Sequence, residues 1–151
     1  MIKIICVGKI KEKYLVDAIN EYKKRISKYT NLEIIEIQDE NFDEIEKIKK
    51  VEAEKINKYI NKKDYIITLE INATELTSMD LASKMEKINI EYSNITFIIG
   101  GSYGLHEEIT NQANFHLSFS KLTFPHQLFR VLLLEQIYRT YKIRNNEKYH
   151  K

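Results

Sequence analysis

A chain of 151 residues, 43% of them hydrophobic, carries enough apolar material for one packed core and too much for a disordered segment. No apolar run approaches the roughly 18 residues of a membrane span, no signal peptide opens the chain, and the single Cys6 can form no internal disulfide, so the composition excludes a membrane protein or a disulfide scaffold and points to the cytoplasm. The net charge of +2 hides an asymmetry: residues 121–151 hold seven Lys and Arg against two acids, a basic end that suits an anionic partner or is simply a solvated tail.

In chain order, Ile2 to Val7 is an apolar strand dense enough to be covered on both faces, and it ends at Gly8. Gly8-Lys9-Ile10-Lys11 is a turn without the spacing of a phosphate-binding loop. Leu15, Ala18, Ile19, Tyr22 and Ile26 recur at helical spacing and predict a helix over about Tyr14 to Lys28. Leu32 to Ile37 reads as a second strand. Ile45, Ile48, Val51, Ile56 and Ile60 mark a second helix with a charged, solvated face. Asp64 to Glu70 makes a third strand ending near Leu69. Thr77 and Ser78 are helix caps for Leu81, Met85 and Ile88. Asn94 to Ile99 is a fourth strand running straight into Gly100-Gly101-Ser102-Tyr103-Gly104. A short helix over His106 to Gln112 and a fifth strand over Phe115 to Leu117 follow.

The chain then reaches its only proline, Pro125, which suits the first turn of a helix running to about Arg144. Leu128, Phe129, Val131, Leu132, Leu133, Leu134, Ile137, Tyr138 and Tyr141 cover most of that helix's circumference, so it should be buried nearly all round. Two arrangements satisfy this: the sheet on one side with another subunit on the other, or a central core helix of a monomer. Strands and helices alternate throughout, which predicts an α/β fold with a largely parallel sheet flanked by helices, in a single domain over residues 1–151.

Ligands of open parallel sheets bind outside the carboxyl ends of the strands. Three such ends stand out: Leu69, Gly100, and the loop of Phe119, Ser120, Lys121, Leu122, Thr123 and Phe124. Glycines after a strand let backbone approach a ligand closely, although Gly-Gly-x-x-Gly equally marks a tight turn with no ligand. His106, His116, His126 and His150 form no metal-ligand spacing with Cys6 or the carboxylates, so no metal is expected. His116 reads as structural, and His126 as either a ligand contact or a cap on the sheet. No serine-hydrolase order, nucleophile elbow or dinucleotide fingerprint is present.

Ile99-Gly-Gly-Ser-Tyr-Gly-Leu105, Leu117 to Gln127, Arg130-Val with Glu135-Gln-Ile-Tyr-Arg139, and Tyr149-His-Lys151 together resemble the ribosomal RNA large subunit methyltransferase H family, a branch of the SPOUT methyltransferases. The resemblance spans the whole chain in order. It implies a SPOUT-type fold with a C-terminal trefoil knot, a homodimer, and transfer of methyl from S-adenosylmethionine to N3 of a pseudouridine in large-subunit ribosomal RNA. By position, Leu69, Gly100 and Phe119 to Phe124 would line the methyl-donor pocket, and Arg144, Tyr149 and His150 would form the catalytic tail. His150 would then act as base or proton relay, and Arg144 would stabilise the anionic base or bind phosphate. Asn72-Ala73-Thr74, where the family often has Gly-Lys, and Ala53, where it often has Gly, depart from the pattern, and both are expected to lie off the pocket. Two rival readings are a non-catalytic ribosome- or RNA-binding module and a SPOUT enzyme with another RNA target.

Overall fold

The computed structural model describes residues 1–151. Five strands run β1 (Ile2–Val7), β2 (Leu32–Ile37), β3 (Tyr65–Glu75), β4 (Ile95–Ile99) and β5 (Phe115–Ser118). Five helices run α1 (Lys13–Ile26), α2 (Ile45–Asn57), α3 (Ser78–Glu91), α4 (Glu107–Thr110) and α5 (His126–Arg144). The strands form one sheet in the order β2-β1-β4-β3-β5, and every pairing is parallel. The predicted α/β architecture, a parallel sheet flanked by helices, is therefore the observed one.

Strand alternation sends side chains to two unequal layers. Ile2, Ile4, Cys6, Phe97 and Leu117 face α1, α3 and α5, within a core of 19 buried residues. Ile5, Val7, Ile66 and Ile98 face α2 and α4, in a smaller core of eight. At the amino ends of three strands, the buried Asp64 carboxylate accepts from Thr96 Oγ1 at 2.9 Å and Asn94 Nδ2 at 3.2 Å, with Lys3 Nζ 3.5 Å away. A buried carboxylate is tolerable only with such partners, and these pin β1, β3 and β4 together at the end opposite the glycines.

Element boundaries differ from expectation in two informative places. Pro125 stands one position before α5 rather than within its first turn, with an extended ψ of 129°. Its carbonyl accepts from Phe129 N at 2.9 Å, so it opens the helix as a cap residue. β3 continues past Leu69 to Glu75, but its ladder with β5 is broken: Leu69 and Thr74 both pair with Leu117. Residues 70–73 are therefore extra chain that bulges out of the sheet. Thr77 caps α3 as expected, with Asp80 completing a reciprocal capping box.

The all-round apolarity of α5 is met mostly within one chain. Leu133, Leu134 and Ile137 are fully buried in the layer that α5 shares with α1, α3 and the sheet. Val131 and Leu132 stay partly exposed and Leu128 is exposed. The largest fully buried side chain is not apolar at all: it is Arg130, 1% exposed. Its Nη1 donates to Glu36 Oε2 at 2.6 Å and its Nη2 to the Gly8 carbonyl at 2.9 Å. Glu36 Oε2 also accepts from Ile10 N at 3.0 Å, and Gln127 Nε2 donates to the Lys9 carbonyl at 3.2 Å. The first turns of α5 are thereby fastened to the β1–α1 turn. Gly8 itself has φ +97° and lies so near His126 that a Cβ would come within 3.1 Å of Nε2, which only glycine accommodates comfortably.

Two outcomes follow. Arg130→Met keeps the aliphatic stem but strips the Gly8 carbonyl and Glu36 of their donor, and should lower stability by about 1–3 kcal/mol in urea unfolding. Burial pushes the Cys6 thiol up to about 12, and Cys6 is 1% exposed. A thiol reagent at pH 8 should leave it unmodified in the folded protein and label it only in denaturant.

Candidate functional site

The carboxyl ends of β3, β4 and β5 open onto one cleft of about 900 Å³, within the range of a small-molecule site. Each wall has a local cause. On the β3 side, the bulge at residues 70–73 turns Glu70, Ile71 and Asn72 onto the cleft. The Ser118 hydroxyl lies 2.8 Å from the Ile71 carbonyl and 3.1 Å from that of Ser120, so it ties this bulge to the loop after β5.

On the β4 side the chain doubles back at once. Gly104 N donates to the Gly101 carbonyl at 3.1 Å. A Cβ on Gly100 would lie 2.6 Å from Gly104 C and 2.8 Å from its oxygen. Gly100 is thus required by the turn's own backbone. The colliding atoms belong to the loop itself, so this requirement holds whether or not a ligand fills the cleft. Beneath the turn, a Cβ on Gly101 would meet Val7 at 3.1 Å and the buried Glu52 carboxylate at 3.4 Å. Burial pushes the Glu52 carboxyl above the usual range, opposed by a hydrogen bond from Glu40 N.

The third wall is the loop after β5. Leu122 N donates to Ser120 Oγ at 3.0 Å. Phe119 meets Phe129 of α5 edge-on at 4.8 Å, and Phe124 lies nearly parallel to the same ring at 6.1 Å. Phe129 thus holds both ends of the loop, and it sits one residue before Arg130. Leu69, Gly100, Phe119, Ser120, Leu122, Thr123 and Phe124 line the single cleft, whereas Lys121 is exposed and off the lining. The expectation that Asn72 lies off the pocket is overturned, because the bulge carries it into the wall; Ala53 is buried under the opposite sheet face. Ile71, Tyr103, Leu105 and Phe129, none of them expected at the site from the sequence, also line the cleft. Nearness to the three strand ends was the signal that would have found the first three.

Arg144, Tyr149 and His150 do not line the cleft. Arg144 closes α5, with Nη1 donating to Asn89 Oδ1 at 3.2 Å. The tail then folds back along the helix. Tyr149 packs edge-on against Tyr138 at 5.0 Å and its hydroxyl donates to Glu135 Oε1 at 3.2 Å. Arg139 Nη1 donates to His150 Nδ1 at 3.2 Å. Burial first, and then the Glu135 carboxylate, push the Tyr149 phenol up to about 12, so at neutral pH it is a donor and no base. The tail is therefore a packed element, not a frayed end. His106 caps α4, accepting from Glu108 N at 3.0 Å. No three His, Cys, Asp or Glu side chains gather where they would hold a metal ion, and no helix is long and apolar enough to cross a membrane.

Residues 1–150 match a family model described as predicted SPOUT methyltransferase. A Methanococcus maripaludis relative, provisionally named ribosomal RNA large subunit methyltransferase H, is 57% identical, with 99% of each chain covered. Relatives with that name from Clostridium tetani and Caldicellulosiruptor saccharolyticus are 51% and 49% identical over 99% and 100% of both chains. Among solved structures, a probable methylase family protein from Haemophilus influenzae superposes with a TM-score of 0.60 at 16% identity, covering 99% of this chain and 70% of that one. At that identity the likeness concerns the fold alone.

The glycine turn gives a direct check. Gly100→Ala should cost about 1–3 kcal/mol by overpacking, measured as a lowered urea midpoint, because the Gly104 backbone must move. An alanine variant as stable as the parent would mean that the turn does not fold this tightly.

Proposed function

We propose, from the premise that the chain belongs to the SPOUT methyltransferase family and to its ribosomal RNA large subunit methyltransferase H branch, that it methylates N3 of a pseudouridine in large-subunit ribosomal RNA with S-adenosylmethionine as donor. The observation that carries this reading is the convergence of three strand-end loops on one cleft of about 900 Å³. The cleft fits the donor chemically. Leu69, Ile99, Leu122 and Phe129 offer apolar contact to an adenine, and loop amides and carbonyls lie beside them to read its edge. Bound there, the donor would supply a methyl group activated on a sulfonium.

The chain's own tasks are then to align the two reactants, which can supply much of the rate, and to receive the N3 proton. Methyl transfer forms the N–CH₃ bond, breaks the S–CH₃ bond, and leaves S-adenosylhomocysteine. Our reading gives the proton to His150, as base or relay. Arg144 would face the developing anion or a phosphate, and Tyr149 would hold the tail as a donor. No metal enters the reaction.

Position along α5 supports one way for the tail to take part. α5 has 19 residues, so it spans roughly 28 Å at 1.5 Å per residue. His126 at its start lines the cleft, while Arg144 lies at its far end. A tail packed along the middle of α5 serves its own cleft poorly. We therefore read the active protein as a homodimer in which each tail completes the partner's cleft, with Leu128, Val131 and Leu132 as the apolar strip left for the partner. The trefoil knot and a cytoplasmic setting belong to the same reading. RNA affinity would come from cations such as Lys148 and Lys151 contacting phosphates.

Calorimetry should show S-adenosylmethionine binding to the wild type; a chain that binds none is a non-catalytic module. His150→Ala alters an exposed side chain and should leave donor binding intact, while slowing single-turnover methylation of ribosomes at least tenfold. Lys148→Ala should instead weaken RNA binding and flatten its salt dependence. Wild-type rates in the His150 variant would return the tail to a structural role.

A further inference from the structure

Among the residues lining the cleft, Glu70 is the only acid, and no Lys or Arg lines it. Its carboxylate is unusually well placed. Thr68, fully buried on β3, donates its hydroxyl to Glu70 Oε2 at 2.7 Å. His116 Nδ1 contacts the same oxygen and lies 3.1 Å from Thr68 Oγ1. An ionised carboxylate oxygen only accepts, so His116 Nδ1 is the hydrogen-bearing nitrogen in this arrangement. All the side-chain partners converge on Oε2, and Oε1 has no protein partner. The cause is the β3 bulge. Thr68 is still in register with His116 of β5, and Leu69 is the last residue before the ladder breaks. Glu70 is thus the first residue turned out of the sheet, anchored from behind by Thr68 and His116 of the next-to-last ordered rung.

Such a geometry holds one charge still at the mouth of a site. A fixed anion in a cleft of partly apolar walls raises the affinity for cations and does nothing for neutral ligands. The methyl donor of the reading above carries a sulfonium and an ammonium against one carboxylate, a net positive charge. We propose that Glu70 is the anionic anchor for the cationic half of the methyl donor, and that Thr68 and His116 are positioning residues that fix its carboxylate. This assignment rests on the donor reading of the cleft. It adds a specificity-determining residue on β3 beside the loops that enclose the adenine.

The experiment is calorimetry of the full chain with two ligands that share a 5′-thioadenosine frame. S-adenosylmethionine carries the charges; 5′-methylthioadenosine lacks both the amino acid and the sulfonium. Glu70→Gln keeps the size of the side chain and one acceptor oxygen for Thr68 and His116, exchanges the other oxygen for a donor NH₂, and removes the charge. It should weaken S-adenosylmethionine at least tenfold and leave methylthioadenosine within twofold of wild type. Thr68→Val, which removes the positioning hydroxyl and keeps the charge, should weaken S-adenosylmethionine about threefold and again spare methylthioadenosine. Equal losses for the two ligands, or no loss for either, would overturn the assignment. If Glu70→Gln fails to fold, the ratio of the two affinities in Thr68→Val decides alone, and an unchanged ratio overturns it. A wild-type chain that binds neither ligand would sink the donor reading itself, which is a different result from an unchanged ratio.

Discussion

The structure depends on a buried guanidinium. Arg130 lies inside the larger core layer with no escape to water, and it reaches both the end of β2 through Glu36 and the end of β1 through the Gly8 carbonyl. A charge in that position is costly unless paired and hydrogen-bonded. Its two directed bonds therefore permit one placement of α5 relative to the strand ends. A wholly apolar helix face tolerates sliding; a fork bonded to a specific carbonyl and a specific carboxylate does not. Arg130 Nε remains buried without a partner, so the fork is held by its two terminal nitrogens.

From that fixed helix the site assembles outward. Phe129, the neighbour of Arg130, grips Phe119 and Phe124 and so holds the loop after β5 against the cleft. Ser118 joins this loop to the β3 bulge. The β4 wall is independent of α5 and is shaped by the clash that any side chain at Gly100 would make with Gly104. Two unrelated devices, a pinned helix and an overfull turn, thus meet at one opening. The tail uses a third. Tyr149 and His150 are held along α5 by Glu135, Tyr138 and Arg139, away from their own cleft. This separation of cleft from tail is the observation from which the proposed dimer follows.

Most of the sheet was legible because its strands are short apolar runs bounded by turn residues. β1 and β2 fall where the pattern puts them, and β4 runs into its glycines as expected. The strand-end rule then picked out Leu69, Gly100 and most of the 119–124 loop. Pattern failed where geometry is set by pairing partners instead of periodicity. Nothing in Glu70-Ile-Asn-Ala73 announces a bulge, since whether the ladder continues is decided by how much of β3 the short β5 can match. Asn72 was for that reason misplaced. Lys121 was included as part of a contiguous loop, yet its side chain turns to solvent. Apolarity around α5 admitted either a second subunit or a central core helix, and α1, α3 and the sheet meet most of it, leaving the strip near Leu128. The packing of Tyr149 was invisible because a terminal aromatic among cations reads as a loose end.

The central claim is that this cleft and tail methylate one ribosomal nucleoside. Its most direct test is nucleoside mass spectrometry of large-subunit RNA from ribosomes incubated with the wild-type protein and isotopically labelled S-adenosylmethionine. The account predicts one labelled product, a pseudouridine methylated at N3. Label on another nucleoside, or no label from a protein that binds the donor, would contradict it.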